Sequence, residues 1–453
     1  MHRIRHFGLN FSCDNIGNRP FGEPVGLNRD WPRAILCSDK CRFGSRILRR
    51  PSRALVAVLE RLIMPASIWF ALSALLLVAG LHPFVTYPLS LWLIRKVAAR
   101  RDARPAEAGK APTFAICVCA YNEEATIERK VRNMLALRGR AGSLEILVYV
   151  DAATDRTAAL LEPFAGEISL FVAPRRLGKT HGMNFLVEHA TADVVVFSDA
   201  NVLLDENAIP AVAEAFREER IGCVCGHLVY VNAKGSPTSS VGSMYWRLEE
   251  FIKEQESGAG AVMGADGSLF AIRRRLHRPV PPNLIDDMFL SLSVLCDGYR
   301  VVRARNAIAF EESVTASVEE FRRKVRIACQ AFNVHRELWP RLRRLPVPIV
   351  YMYVSHKLLR WLSIYILALS SLVAALGLSA MGVPLSVIGG GILAVVGLLW
   401  WAGAQHVSPF AQVREVLIAL AGAGLGVAEA YRGKQYQTWT PAASIRQPSD
   451  SKR

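Results

Sequence analysis

Asp286 and Asp287 stand side by side in I-D-D-M, at the head of an apolar run. A carboxylate can take the proton of an attacking hydroxyl, and a second one beside it raises its pKa by like-charge repulsion. The same pair also suits the first turn of a helix, where the macrodipole favours negative charge. Asp199 and Asn201 end the run D-V-V-V-F-S-D-A-N. Two residues apart on an extended segment, they point the same way. Their hard oxygens match what Mg²⁺ or Mn²⁺ takes when it carries a diphosphate, although Asp and Asn favour plain turns as well. Lys179, in R-L-G-K-T-H-G-M-N, adds a cation. A phosphate loop ending in that G-K-T would require glycine at position 173, where the chain has Ala173, so a P-loop NTPase is excluded.

These residues need strands to hold them. Phe114–Ala120, Leu144–Val150, Leu170–Ala173 and Val194–Ser198 read as buried strands, with helices predicted over Ala125–Leu137 and Thr180–Ala190. The alternation calls for an α/β fold with a doubly wound, mostly parallel sheet. In such sheets ligands sit beyond the carboxyl ends of the strands. Asn122/Glu123, Asp151/Asp155 and Asp199/Asn201 follow three of these ends. Further on, a helix over Ile209–Glu219, a strand over Cys223–Tyr230 and a polar turn are expected. Gly258–Phe270 is rich in Gly and Ala, which suits close backbone approach to a ligand or another chain. Val318–Trp339 reads as a basic amphipathic helix with Phe321, Val325, Ala328 and Phe332 on one face, a form that can lie on a membrane surface.

Composition supplies the surroundings. Of 453 residues 51% are hydrophobic, and mean hydropathy is +0.22, high because apolar blocks gather at both ends. Leu62–Ile94 has no charged side chain other than His82 and exceeds the roughly 20 residues that span a bilayer. Trp361–Leu378 and Pro384–Ala404 read as spans. Val413–Ala430, with Arg414, Glu415 and several glycines, reads as a shorter or re-entrant piece. The net charge of +16 concentrates beside these blocks, at Arg95, Lys96, Arg100, Arg101 and Arg104 and at Arg336, Arg341, Arg343 and Arg344. That pattern marks the cytoplasmic side and favours membrane lipid. No zinc-finger, helix-turn-helix or RNA-recognition pattern argues for nucleic acid. The nine cysteines do not suggest a disulfide framework; Cys117/Cys119 and Cys223/Cys225 suit a core in a reducing cytosol. Cys37-x3-Cys41 lacks the second pair that a metal site needs. Residues 1–52 read as disordered, with Met64 an alternative start.

Taken together, the motifs resemble membrane-bound family 2 glycosyltransferases, the group of cellulose, hyaluronan and poly-N-acetylglucosamine synthases. The resemblance covers about Thr113 to Trp339 and the flanking membrane blocks, with six motifs in order. It implies a GT-A-type, Rossmann-like sheet flanked by transmembrane helices. A-Y-N-E-E would place Tyr121 and Glu123 at the base and ribose of a UDP-sugar. V-D-A-A-T-D-R-T would place Asp151 at the uracil, and the R-x-G-K element would place Lys179 near the nucleotide. S-D-A-N stands for the Asp-x-Asp metal motif, making Asp199 a metal or phosphate ligand with Asn201 the second metal position. I-D-D stands for Thr-Glu-Asp, making Asp287 the general base with Asp286 beside it. G-A-D-G-S, with Gly264 and Asp266, falls near the acceptor. The Gln-x-x-Arg-Trp motif of processive synthases is replaced by F-R-R-K-V-R-I, with Arg326 at the arginine but Arg323 and Ile327 at the Gln and Trp.

The expected activity is inverting transfer from a UDP-sugar to a growing β-linked polysaccharide at the cytoplasmic face of the cell membrane, with Mg²⁺ or Mn²⁺ and export partner proteins. Transfer of one sugar to a lipid or lipid phosphate is the alternative, and a catalytically silent subunit of a secretion complex a third. The expected divisions are an extension over 1–52, an anchor over 53–96, the GT-A domain over 110–317, an interface helix region over 318–345, transmembrane helices over 346–432 and a polar tail over 433–453.

Overall fold

The computed structural model describes residues 65–99, 112–141, 143–231, 237–312, 317–405 and 407–438. The expectations for residues 1–52, Met64, the Cys37–Cys41 pair and Arg100, Arg101 and Arg104 fall outside the described residues.

Ala66–Leu81 (α1) and Thr86–Ala99 (α2) are apolar helices that bend by 65° at the break between them. The sheet begins with Phe114–Ala120 (β1), followed by helix Ile127–Ala136 (α3) and strand Leu144–Val150 (β2). Ser169–Val172 (β3), Lys179–His189 (α4) and Val194–Phe197 (β4) complete a parallel set ordered β3-β2-β1-β4. Helices cover both faces of β1 and every one of its residues is buried, which is why its sequence runs continuously apolar instead of alternating.

Beyond β4 the sheet turns mixed. Leu203–Leu204 (β5), helix Ala208–Ala215 (α5), strand Ile221–Tyr230 (β6), helix Pro237–Gly258 (α6), strand Phe270–Arg273 (β7), helix Asp286–Cys296 (α7) and strand Arg300–Glu311 (β8) follow in turn. The full order is β3-β2-β1-β4-β7-β6-β8-β5, with β7 antiparallel to both neighbours. The polar turn expected after Tyr230 falls mostly on residues 232–236, outside the described residues, and the 22-residue α6 that follows has no counterpart in the sequence reading. Charge hides that helix from a hydrophobic-periodicity argument, because Glu249, Lys253 and Glu256 point inward. β8 is obscured in the same way: its inward Arg303 pairs with Glu250 and, at 3.1 Å, with Glu254 of α6.

The amphipathic helix extends over Ser317–Leu342 (α8). Leu359–Ala380 (α9), Leu385–Ala404 (α10) and Phe410–Tyr431 (α11) follow. The last three are long and apolar enough to cross a membrane, α9 together with the turns before it. α11 is one continuous 22-residue helix, not the short or re-entrant piece expected. Its glycines serve packing. A methyl group at Gly426 would lie 2.5 Å from the Val325 carbonyl oxygen and 2.6 Å from Ala328 Cβ on α8. The apolar face of α8 is therefore turned to α11, with Val325, Ala328 and Phe332 buried, and not to lipid as expected. Gly426→Val should force this crossing apart at a cost of about 1–3 kcal/mol or more, read as a lower melting temperature in detergent.

A buried polar network joins the sheet domain to the apolar helices. A π turn over Val354–Leu358, ahead of α9, presents His356. Its Nδ1 lies 2.7 Å from Glu256 and its Nε2 3.1 Å from Glu249, both on α6. Tyr87 of α2 donates to Glu256 at 2.6 Å. Arg360 of α9 pairs with Glu249. Buried charges persist only when partnered in this way.

Candidate active site

Three strand ends and one helix start converge. After β1, Asn122 accepts from the Thr154 N–H at 2.8 Å; Asp155 accepts from the Glu124 N–H at 3.1 Å. The turns that follow β1 and β2 are thus stitched together. Glu123 is buried, its N–H donating to Thr157 Oγ1 at 2.8 Å and its carboxylate accepting from Thr126 Oγ1 at 3.0 Å.

Asp151 is fully buried and accepts from the Leu177 N–H at 2.7 Å and the Gly178 N–H at 2.9 Å. It fixes the loop that delivers Arg176 and Lys179. Arg176 lies 3.6 Å over the Tyr121 ring. This flat cationic and aromatic pair is a stacking surface of the kind a nucleobase uses. Sequence reasoning left Arg176 out of its site residues, although it is the arginine of R-x-G-K.

Lys179, the first residue of α4, is the hub. Its Nζ lies 2.8 Å from Asp199 Oδ1 and 3.5 Å from Asp286 Oδ2. Burial alone would lower its pKa, but the carboxylates of Asp199 and Asp286 outweigh burial and hold it above the ordinary lysine range. Asp287 opens α7 beside Asp286, its Oδ1 accepting from the Met288 N–H at 2.5 Å. Burial pushes its carboxyl up to about 7, the negative charge of Asp286 adds to the rise, and Lys179 opposes it. A neutral-range carboxyl is what a general base at physiological pH requires.

Asp199 and Asn201 sit where expected, past the end of β4, and a feature the sequence reading missed braces their turn. The buried Lys130 of α3 donates to Ser198 Oγ at 2.8 Å and to the Val202 carbonyl at 2.7 Å, one residue outside each end of the triplet. Burial brings its pKa down to about 7, with Asp199 pulling the other way. No apolar periodicity signals a lysine in this role. The Asn201 amide donates to Glu311 Oε1 at 3.1 Å, at the end of β8.

The Gly264–Ser268 loop closes the other side. The Ser268 carbonyl accepts from Ser198 Oγ at 2.8 Å, and Asp266 pairs with the buried Lys253. At Gly264 a methyl group would lie 3.5 Å from Lys357 Cε, placing this end of the loop beside the π turn. At Gly267 a methyl group would lie 3.3 Å from Asp287 Oδ2 and Lys179 Nζ, and 3.5 Å from Asp199 Oδ2. Those three side chains therefore line one small space. Gly267→Ala should cut turnover about 100-fold by displacing whatever binds there, with the fold kept because the atoms nearest the methyl are the ends of side chains.

From α8, Arg326 donates to Gln330 at 3.1 Å, and its charge faces Asp199 and Asp286. Gln330 in turn donates to the Tyr436 carbonyl at 3.0 Å. That C-terminal segment crosses the Lys179 loop, where a methyl group at Gly178 would stand 2.4 Å from the Gln437 carbonyl oxygen. Asp151, Asn201 and Arg326 thus lie beside the Lys179–Asp199–Asp286–Asp287 cluster, and the Gly264–Ser268 loop and the Tyr121–Glu123 turn border it. Arg323 pairs with Glu320 of its own helix at 3.7 Å.

Two side chains could offer oxygens to a divalent cation, while among the described residues no three His, Cys, Asp or Glu side chains are grouped to hold one. Asp199 offers a carboxylate, 36% exposed, and Asn201 spends its amide nitrogen on Glu311, which leaves its amide oxygen as an available hard ligand.

Comparison with known proteins adds a family. Residues 115–280 match the Glycosyl transferase family 2 profile. The β-monoglucosyldiacylglycerol synthase of Trichormus variabilis is 23% identical over 285 residues, covering 60% of this chain and 61% of that protein. The poly-β-1,6-N-acetyl-D-glucosamine synthase of Staphylococcus aureus is 27% identical over 192 residues, 41% of this chain and 46% of that one. The chain thus spans about half to three-fifths of the length of these curated relatives. A mannosyltransferase from Pyrobaculum calidifontis, solved with GDP-Man and Mn²⁺, superposes with a TM-score of 0.59 at 21% identity, over 81% of this chain and all of the other. At that identity the likeness speaks for the fold.

Proposed function

We propose that the protein moves a sugar, with inversion, from a nucleoside-diphosphate sugar to an acceptor hydroxyl held at the cytoplasmic face of a membrane, a reading supported by the Glycosyl transferase family 2 match over residues 115–280 and the GT-A-like sheet. The observation that carries this reading is the Lys179 ammonium set among Asp199, Asp286 and the neutral-range Asp287.

Asp287 accepts the proton of the acceptor hydroxyl as its oxygen attacks the anomeric carbon. The bond from that carbon to the diphosphate oxygen breaks as the new one forms, so an α-linked UDP-sugar gives a β-linked product. Lys179 and Arg326 stabilise the negative charge that develops on the leaving diphosphate. Asp199 and the Asn201 amide oxygen would hold Mg²⁺ or Mn²⁺, which supplies further charge neutralisation. The stacked Arg176 and Tyr121 would cap one face of the base, with Glu123 and Asp151 shaping that end.

A growing β-linked polysaccharide is one acceptor, and the set of spanning helices would then provide its exit, alone or with export partners. A second acceptor, a membrane lipid, is favoured by the residues at the polymer-holding positions. Arg323 replaces glutamine there and faces carboxylates, and Ile327 replaces tryptophan. An open apolar groove between α9 and α11, lined by Leu362, Ile366, Leu369 and Val427 with Arg432 beside them, could seat an acyl chain. Labelled UDP- and GDP-sugars offered to the full chain in lipid nanodiscs test the proposal. A labelled product, in the organic phase for a lipid and at high molecular weight for a polymer, supports it. No transfer and no nucleotide release with any donor overturns it.

A further inference from the structure

Glu256 of α6 is fully buried and divides its carboxylate between two parts of the molecule. Oε1 accepts from the Tyr87 hydroxyl of α2 at 2.6 Å and lies 2.7 Å from His356 Nδ1 in the π turn ahead of α9. Oε2 accepts from the Met263 N–H at 3.0 Å, one residue before the Gly264–Ser268 loop. Tyr87 and His356 both belong to stretches apolar enough to cross a membrane.

The loop has two further anchors. Ser291 Oγ accepts from the Ala265 N–H at 3.0 Å and donates to the Asp287 carbonyl at 2.6 Å, so the loop and the candidate base share one hydroxyl. At the other end the Ser268 carbonyl accepts from Ser198, the residue before Asp199. Glu256 is thus the link from this loop to the membrane side. A carboxylate accepts on both oxygens at once, and in a dry interior such bonds hold their geometry firmly. A shift of Tyr87 or His356 is therefore passed to Met263 and the loop behind it.

We propose that Glu256 is a positioning residue through which the membrane-side helices set the Gly264–Ser268 loop against Asp287, so that an acceptor hydroxyl, and not water, meets the donor. This rests on the site being a glycosyl-transfer site. A loop displaced by about 1 Å costs on the order of 100-fold in transfer and opens the donor to water. Water's oxygen then bonds to the anomeric carbon in the acceptor's place and its proton goes to Asp287. The bond to the diphosphate breaks, and free sugar and nucleoside diphosphate leave.

The full chain in nanodiscs of phosphatidylglycerol and diacylglycerol, given labelled UDP- and GDP-sugars, tests this through the ratio of nucleotide released to sugar transferred. That ratio does not depend on how much of the protein is folded. Glu256→Gln should lower transfer about 10- to 100-fold and raise the ratio about fivefold or more, since an amide accepts at only one of its two ends. Tyr87→Phe removes only a hydroxyl and should move both quantities the same way, by less. Calorimetric affinity for UDP and GDP should stay close to wild type in both variants. The double variant should be no worse than Glu256→Gln alone, because both changes act through one carboxylate. A ratio equal to wild type in both variants overturns this inference alone, and so does an additive double variant. A wild type that transfers no sugar from any donor overturns the transferase reading, and the inference with it.

Discussion

Replacing Asp287 with Asn is expected to lower kcat by about 100- to 10,000-fold, the usual worth of a positioned general base. Nucleotide affinity should not change much, because the role proposed for this carboxylate is to take the acceptor proton and not to hold the diphosphate. The pH profile gives an independent check. A base acts only when ionised, and burial followed by the Asp286 charge pushes the Asp287 carboxyl up to about 7. kcat/KM should therefore rise with pH through about 7 and fall about tenfold per unit below it. Asp286→Asn removes the like charge and should move this acid limb to lower pH. Burial, the larger cause, persists, so the limb should stay above the ordinary aspartate range. An acid limb near pH 4 in wild type would remove Asp287 from the role.

Lys179→Met carries the second-largest effect. The ammonium is the shared partner of Asp199 and Asp286 and moderates Asp287. Its loss deprives the leaving diphosphate of a fixed cation in a partly dry site, worth about 100- to 1,000-fold in kcat/KM. It also takes from three neighbouring carboxylates the cation nearest to them. Because Lys179 holds the Asp287 pKa down, the acid limb should move upward in this variant, opposite to the shift in Asp286→Asn. Steady-state kinetics across a pH series would read both effects. An unchanged limb in Lys179→Met would show that the ammonium does not face the base during turnover.

The parts of the molecule that were legible in the sequence share one physical property. β1, β2 and β4 are buried on both faces, so each reads as an apolar run closed by an acid or amide. Asp151, Asp199 and Asn201 follow those ends, while Lys179 and Asp287 open α4 and α7, so their order along the chain exposed the candidate site. What stayed hidden was held by buried charge. α6 carries Glu249, Lys253 and Glu256 inward, and β8 carries Arg303 inward, each matched by a partner distant in sequence. An isolated strand of sequence cannot show that such a partner exists, so both elements read as polar. Lys130 and Glu311 were missed for the same reason. The apolar face of α8 was read correctly as a face, but whether it meets lipid or another helix depends on α11, whose glycines made it look interrupted when they only let α8 come close.

The anomeric configuration of the product tests the central claim most directly. Proton NMR of the sugar transferred from an α-linked UDP- or GDP-sugar reports the new linkage through its anomeric coupling. Direct displacement with Asp287 as the single base predicts a β-linked product from wild type and almost none from Asp287→Asn. An α-linked product would mean retention, which a single displacement at this site cannot give, and would contradict the account.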